Sequence, residues 1–213
     1  FKKEIRYFFT SPIGLTIIGL FIVLNGLFLW VFKTDYNIFN AGFADMLPFF
    51  RFSSWVFVFL VPAITMRSIS EEKKSGMLAL LFTKPVSTLQ MVLGKYLGIL
   101  FLLFVILLPS ALYVYMVWIL GNPVGNLDIA GTVGSYIALF LLVATFASVG
   151  LWASSISSNQ IISFVLAAFL CFFFFFGIDQ LIAFVAPEDF GGVGFQTHFD
   201  AISRGVLDTR NIV

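Results

Sequence analysis

The stretch "SISEEKKSGMLALLFTKPVS", residues 68–87, interrupts a chain that is otherwise apolar over long distances. Four charged residues, Glu71 to Lys74, lead into an apolar run too short to cross a bilayer, which stops at Lys84-Pro85. Ser68 and Glu71 have the spacing of a capping box, with Glu72, Lys73 and Lys74 expected in water. Met77, Leu78, Leu80, Leu81 and Phe82 then make about two turns with one apolar face. The pattern predicts a short helix between two membrane spans. Its apolar face has three possible seats: the membrane surface, the chain's own bundle, or a groove in a partner protein. The residues alone leave all three open.

What surrounds this stretch fixes the class of protein. The chain has 213 residues, of which 60% are hydrophobic and 11% charged, and its mean hydropathy is +1.04. A soluble domain carries about a quarter of its residues as Asp, Glu, Lys and Arg. Twenty-nine Phe residues are more than one water-soluble core of this size can hide. The chain reads as an integral membrane protein. A single cysteine, Cys171, excludes an internal disulfide and sits in an apolar run as a small hydrophobe. The sequence opens on Phe1 rather than Met, which suggests trimming, and no cleavable signal is evident. No basic cluster with interleaved aromatics points to nucleic acid.

A helix needs roughly 20 apolar residues to cross the hydrocarbon core. Five stretches qualify, at 13–32, 52–69, 88–120, 129–154 and 160–184. The expected fold is an all-α, polytopic membrane helix bundle forming a single domain over 1–213. The third stretch, about 50 Å long as a helix, has Pro109 near its middle to kink it. Ser87 and Gln90 form a second capping-box pattern at its start. With the N-terminus inside, the inner side holds Lys2, Lys3, Arg6, Arg67, Lys73, Lys74, Lys84 and Lys95. The outer side holds Lys33, Arg51, Arg204 and Arg210. This asymmetry predicts a cytoplasmic N-terminus.

Residues 1–11 place Ile5, Phe8 and Phe9 on one helical face and Lys2, Lys3 and Arg6 on the other. That is the pattern of an interfacial helix; a simple charged flank to the first span is the plainer reading. The fourth and fifth spans carry small residues four apart: Gly131 and Ser135, Ala144 and Ser148, Ser163 and Ala167. Such pairs let helices approach closely, within the subunit by preference or between subunits. The run Phe172–Phe176 faces every direction around a helix and so meets lipid in part. The tail 185–213 is too polar to span and reads as an outer re-entrant or interfacial segment, with Phe195, Phe199, Ile202 and Val206 along one side.

Ionisable groups deep in the spans, which mark proton-coupled carriers, are scarce. Lys95 lies about two turns into the third span, within snorkelling reach of the surface. Asp179 falls near the outer interface, and the only histidine, His198, is in the tail. No nucleophile–base pair, metal-ligand cluster or phosphate-binding glycine loop is present in the sequence. Any work this chain does must draw its energy from another protein.

Residues 71–98, "EEKKSGMLALLFTKPVSTLQMVLGKYLG", resemble the loop between the second and third spans of type-2 ABC exporter permeases. Glu71, Glu72, Gly76, Leu78, Leu80, Leu81, Pro85, Val86, Ser87, Gly94 and Lys95 match that pattern, whereas Met77 replaces the usual Thr and Ala79 the usual Glu. Over its whole length the chain looks most like the gliding-motility permease subunits of the GldF type. The resemblance implies a coupling helix over 76–83 seated in a cytoplasmic ABC ATPase dimer, framed by Arg67 and Glu71, with Lys84-Pro85 setting its exit. It implies no cofactor on this chain, ATP and Mg being bound by the ATPase. It also implies a second copy or a related permease, an auxiliary gliding-motility membrane protein in some assemblies, a bacterial inner-membrane location, and a sixth helix after Val213. A force-transmitting or regulatory component without cargo is the first alternative, and a secondary carrier the second.

Overall fold

The computed structural model describes residues 12–41, 44–77, 87–185 and 195–203. The expected interfacial helix, with Lys2, Lys3, Ile5, Arg6, Phe8 and Phe9, lies outside the described residues. So do residues 78–86, including Leu78, Leu80, Leu81, Lys84 and Pro85. Among the described residues the protein is helical, without strands. Five helices are long and apolar enough to cross a membrane: Gly14–Val31, Leu47–Lys74, Thr88–Leu120, Ile129–Ile156 and Gln160–Ile182. The polytopic helix bundle expected from the sequence is the observed architecture.

The first span is α1 (Pro12–Gly26), extended by a π-helical turn at Leu27–Val31. A short α2 (Ile38–Ala41) precedes the second span, α3 (Leu47–Thr65), which passes through a turn into α4 (Ser70–Lys74). The third span joins α5 (Thr88–Leu107) to α6 (Ala111–Leu120) through a 3-10 turn at Leu108–Ser110. That turn contains Pro109, whose missing N–H and ring are the physical cause of the break. The capping box at Ser87 and Gln90 is formed in both directions. The fourth span is α7 (Ile129–Ile156). The fifth is α8 (Gln160–Phe172), continued through a π-helical turn at Phe173–Gly177 into α9 (Ile178–Val185), and α10 (Phe195–Ser203) follows.

Helices α3 and α7 form the centre. Their spans are 61% and 56% buried, against 22% for the fifth span, so the fifth span is the one with most of its surface left for lipid or a partner. Helix α7 packs against α3, α5, α8 and α10. The core between them includes Phe49, Phe57 and Val61 of α3, Leu102 of α5, and Val143 and Phe146 of α7. Some hydroxyls in this apolar setting are satisfied by their own helix: Ser54 donates to the Phe50 carbonyl at 2.9 Å and Ser135 to that of Gly131 at 2.8 Å. Water is scarce at that depth, so a free hydroxyl would be costly.

The π-turn places Phe175 in the interior, edge-on to Trp55 at 5.5 Å and to Phe146 at 6.1 Å. Phe174 meets Phe195 of α10. The tail helix is therefore docked on the bundle: Phe199 is buried, and α10 packs against α7 and α9.

The small-residue pairs divide. Gly131, Ser135, Ser163 and Ala167 are buried, Ala144 is half-buried, and Ser148 is exposed. Gly131 is small for a local reason. The Asp128 carboxylate caps α7 by accepting from the Gly131 N–H at 3.0 Å, and a Cβ on Gly131 would come 2.6 Å from Asp128 Oδ2.

Candidate functional site: the basic-end junction

One end of the bundle carries Arg67, Lys73, Lys74 and Lys95, and the opposite end carries Asp35, Asp45 and Asp128. At the basic end three spans converge on the turn between α3 and α4, which leads directly into residues 70–87.

Helix α3 has Pro62 in its last turns and stops at Thr65. Thr65 donates to the Val61 carbonyl at 3.0 Å, and its side chain lies directly on Gly150 of α7. A Cβ at Gly150 would fall 2.1 Å from Thr65 Oγ1, so only glycine allows the two helices to approach this closely. One turn further along α7, the Ser154 hydroxyl accepts from the Ile69 N–H at 3.0 Å and the Ser70 N–H at 3.1 Å. The same hydroxyl donates to the Met66 carbonyl at 3.1 Å. One side chain thus satisfies two backbone donors and a carbonyl where a helix end leaves such groups unpaired. Ser70 also donates to the Met66 carbonyl, and Lys73 to the Ser155 carbonyl.

This arrangement displaces the expected capping box. The N-cap of α4 is Ile69 rather than Ser68, with no side-chain cap. Ser154, distant in sequence, takes the orphan donors that a local serine would otherwise serve.

The third span is tied in by Lys95. Its ammonium donates to Glu72 Oε1 at 2.7 Å and to the Ser68 carbonyl at 2.7 Å. The Lys95 side chain is 5% exposed and that of Glu72 17%. The sequence put Lys95 within snorkelling reach of the surface and Glu72 in water; instead they pair, Lys95 buried and Glu72 half-buried. The physical reason is that an ammonium on the inner face of α5 meets a carboxylate and a turn carbonyl at closer range than it meets bulk water.

Arg67 is half-buried in the same turn, Glu71 is exposed, and Met77 is exposed. Gly76 ends α4 with φ of +71°, a left-handed conformation that favours glycine. Nothing lies within 4 Å of a Cβ built there, so the requirement is conformational rather than steric. Gly76 therefore fixes the direction in which the chain leaves the junction toward residues 78–86.

Sequence reasoning missed Thr65, Gly150 and Ser154. A signal for the last two was present, since they are also small residues four apart, six residues after the pair Ala144 and Ser148. What the junction offers is mechanical: three spans fastened to one short helix by directional bonds.

A family described as "ABC-2 family transporter protein" matches residues 33–190 of the chain, more than half of its length. Among curated proteins, none matches.

Proposed function

The chain belongs to the ABC-2 family of transporter proteins, and from that premise we propose that residues 76–83 form the coupling helix through which a cytoplasmic ABC ATPase drives the spans. As a multi-pass membrane component of an ABC transporter, the chain is a permease subunit rather than the ATPase, and it partners an ABC ATPase. The observation that carries the proposal is the anchoring of α4. The helix that delivers the chain to residue 76 is held by Ser154 and Lys95, on two different spans.

On this reading the basic end faces the cytoplasm of a bacterial inner membrane. Nucleotide binding closes an ATPase dimer, and hydrolysis resets it. Each state favours one arrangement of the spans, so nucleotide shifts an equilibrium between them. ATP and Mg belong to the partner. Leu78, Leu80 and Leu81 supply the apolar face seated in the ATPase, with Arg67, Glu71, Lys84 and Pro85 around it. A second copy or a related permease completes the pathway, and residues 1–11 brace the same surface from the lipid. The resemblance to gliding-motility permeases supports a role in such a machine, with export of an unidentified substrate.

The test is co-purification. With Leu80→Asp and Leu81→Asp together, the folded protein should lose the candidate ATPase that the parent retains in mild detergent. Retention of the ATPase by the variant would make the segment an interfacial helix only.

A further inference from the structure

We propose that Lys95 is a positioning residue for coupling: a strut that makes the third span move with α4, so that force entering beyond Gly76 reaches α5 as well as α7. The inference rests on the permease reading above and assigns to one side chain a role that neither the family nor the sequence pattern supplies.

The spans grip α4 in two different ways. Helix α4 packs against α7 and α8, and α7 holds it through Ser154 and the Ser155 carbonyl. The tie from α5 is of another kind. Lys95 reaches across to two acceptors four residues apart in sequence, the Ser68 carbonyl and the Glu72 carboxylate, each at 2.7 Å. One acceptor belongs to the turn that enters α4 and the other to α4 itself, so the ammonium is held at two points of the junction at once. A displacement of about 1 Å takes either bond out of hydrogen-bonding range. Breaking either one leaves the Lys95 charge short of a partner in a site where its side chain is only 5% exposed, which is strongly unfavourable. The contact therefore behaves as a stiff link rather than as a sliding surface.

Apolar packing at this position would serve the overall stability of the fold equally well. Replacing a buried ion pair by hydrophobic residues of similar volume is commonly neutral or stabilising. What an apolar pair would lose is the fixed register between α5 and α4. That separates a strut from a mere stabiliser.

The experiment uses the full-length protein with its ATPase and compares the parent with Lys95→Met/Glu72→Leu, Lys95→Arg and Glu72→Gln. The double variant is expected to fold, to bind the ATPase as the parent does, and to lose the permease-dependent change in ATP hydrolysis. In the permease alone, amide exchange across Met66–Met77 should rise about tenfold. Lys95→Arg keeps both donors and should restore most of the hydrolysis response. If the double variant does not fold, Glu72→Gln, which keeps the shape and removes the charge, should show the same faster exchange and a weakened response. Unchanged exchange in the folded variants would overturn the strut. Faster exchange with full control of hydrolysis would leave Lys95 a structural residue and overturn its coupling role. Failure of the parent to bind the ATPase would instead overturn the permease reading, and the coupling role with it, whereas the exchange comparison would still report on the tie itself.

Discussion

At the basic end a single hydroxyl, that of Ser154, makes three hydrogen bonds to the backbone of the α3–α4 turn, and Lys95 adds two more. The acidic end is held differently. There Trp55 packs against Phe172, Phe175 and Phe176, Tyr36 against Phe52, and Phe174 against Phe195. Clefts of about 490, 260 and 550 Å³ open at this end, the last of them lined by Tyr36, Trp55 and Phe175 and bordered by Asp35, Asp45, Arg51 and Gln196. Directional bonds fail within an ångström of displacement, whereas aromatic pairs hold over ring separations of about 4.5–7 Å and several relative angles. One end is stiff, and the other has the space and the contacts to repack, the division that the proposed coupling calls for.

The comparison is broken most directly at Gly150. Gly150→Ala places a methyl 2.1 Å from Thr65 Oγ1 and 2.9 Å from its Cβ, and the threonine cannot retreat because it is part of the buried α3 turn. Overpacking of this kind costs about 3 kcal/mol. The expected outcome is a marked fall in thermal midpoint and in yield from detergent. Adding Thr65→Ala removes the oxygen but leaves the Cβ contact, so recovery should be partial. A Gly150→Ala variant as stable as the parent would show that α3 and α7 are not locked at this end.

The second effect in size belongs to Ser154→Ala. It removes the acceptor for two backbone donors and leaves them in a buried site, at a cost of about 2 kcal/mol. Thermal unfolding measures the loss, and hydrogen exchange should localise it to Met66–Ser70. If the loss is spread evenly over the bundle, the junction is not a separate mechanical unit.

How far the sequence reached differs between the same two ends. The five spans were legible because bilayer thickness sets a length that few other constraints imitate. The break at Pro109 and the cap at Ser87 were legible because each is decided within a few residues. The junction was not. Ser68 and Glu71 satisfied a local rule, yet Ser154, 84 residues from Ser70, offered the donors a better partner. Lys95 looked like a snorkelling side chain because nothing nearby in sequence shows that Glu72 lies within 2.7 Å. The spacing of small residues is a sound signal, but nothing in it singles out Gly150 and Ser154, which meet Thr65 and the turn after it, from the other small pairs of the same span. At the acidic end the phenylalanine run had no readable direction until the π-turn set Phe175 inward. In each case the missing information was tertiary.

The smallest expected effect sharpens the contrast from the other side. In the acidic half, Ser53 donates to Asn25 Oδ1 at 2.9 Å, and Asn25 in turn donates to the Phe21 carbonyl at 2.9 Å. All of these groups are buried, so on burial alone Ser53→Ala resembles Ser154→Ala. The difference lies in what is left behind. Loss of Ser53 strands one lone pair of an amide that keeps its other bond, and interhelical bonds of this type in membranes average about 0.6 kcal/mol. Loss of Ser154 strands two backbone N–H groups. Ser53→Ala should therefore shift the thermal midpoint by well under half of the Ser154→Ala shift and leave the exchange of Met66–Ser70 unchanged. Equal shifts for the two serines would mean that the number of bonds made by one hydroxyl does not set the stiffness of its end, and the contrast between the two ends would have to rest on the clefts alone.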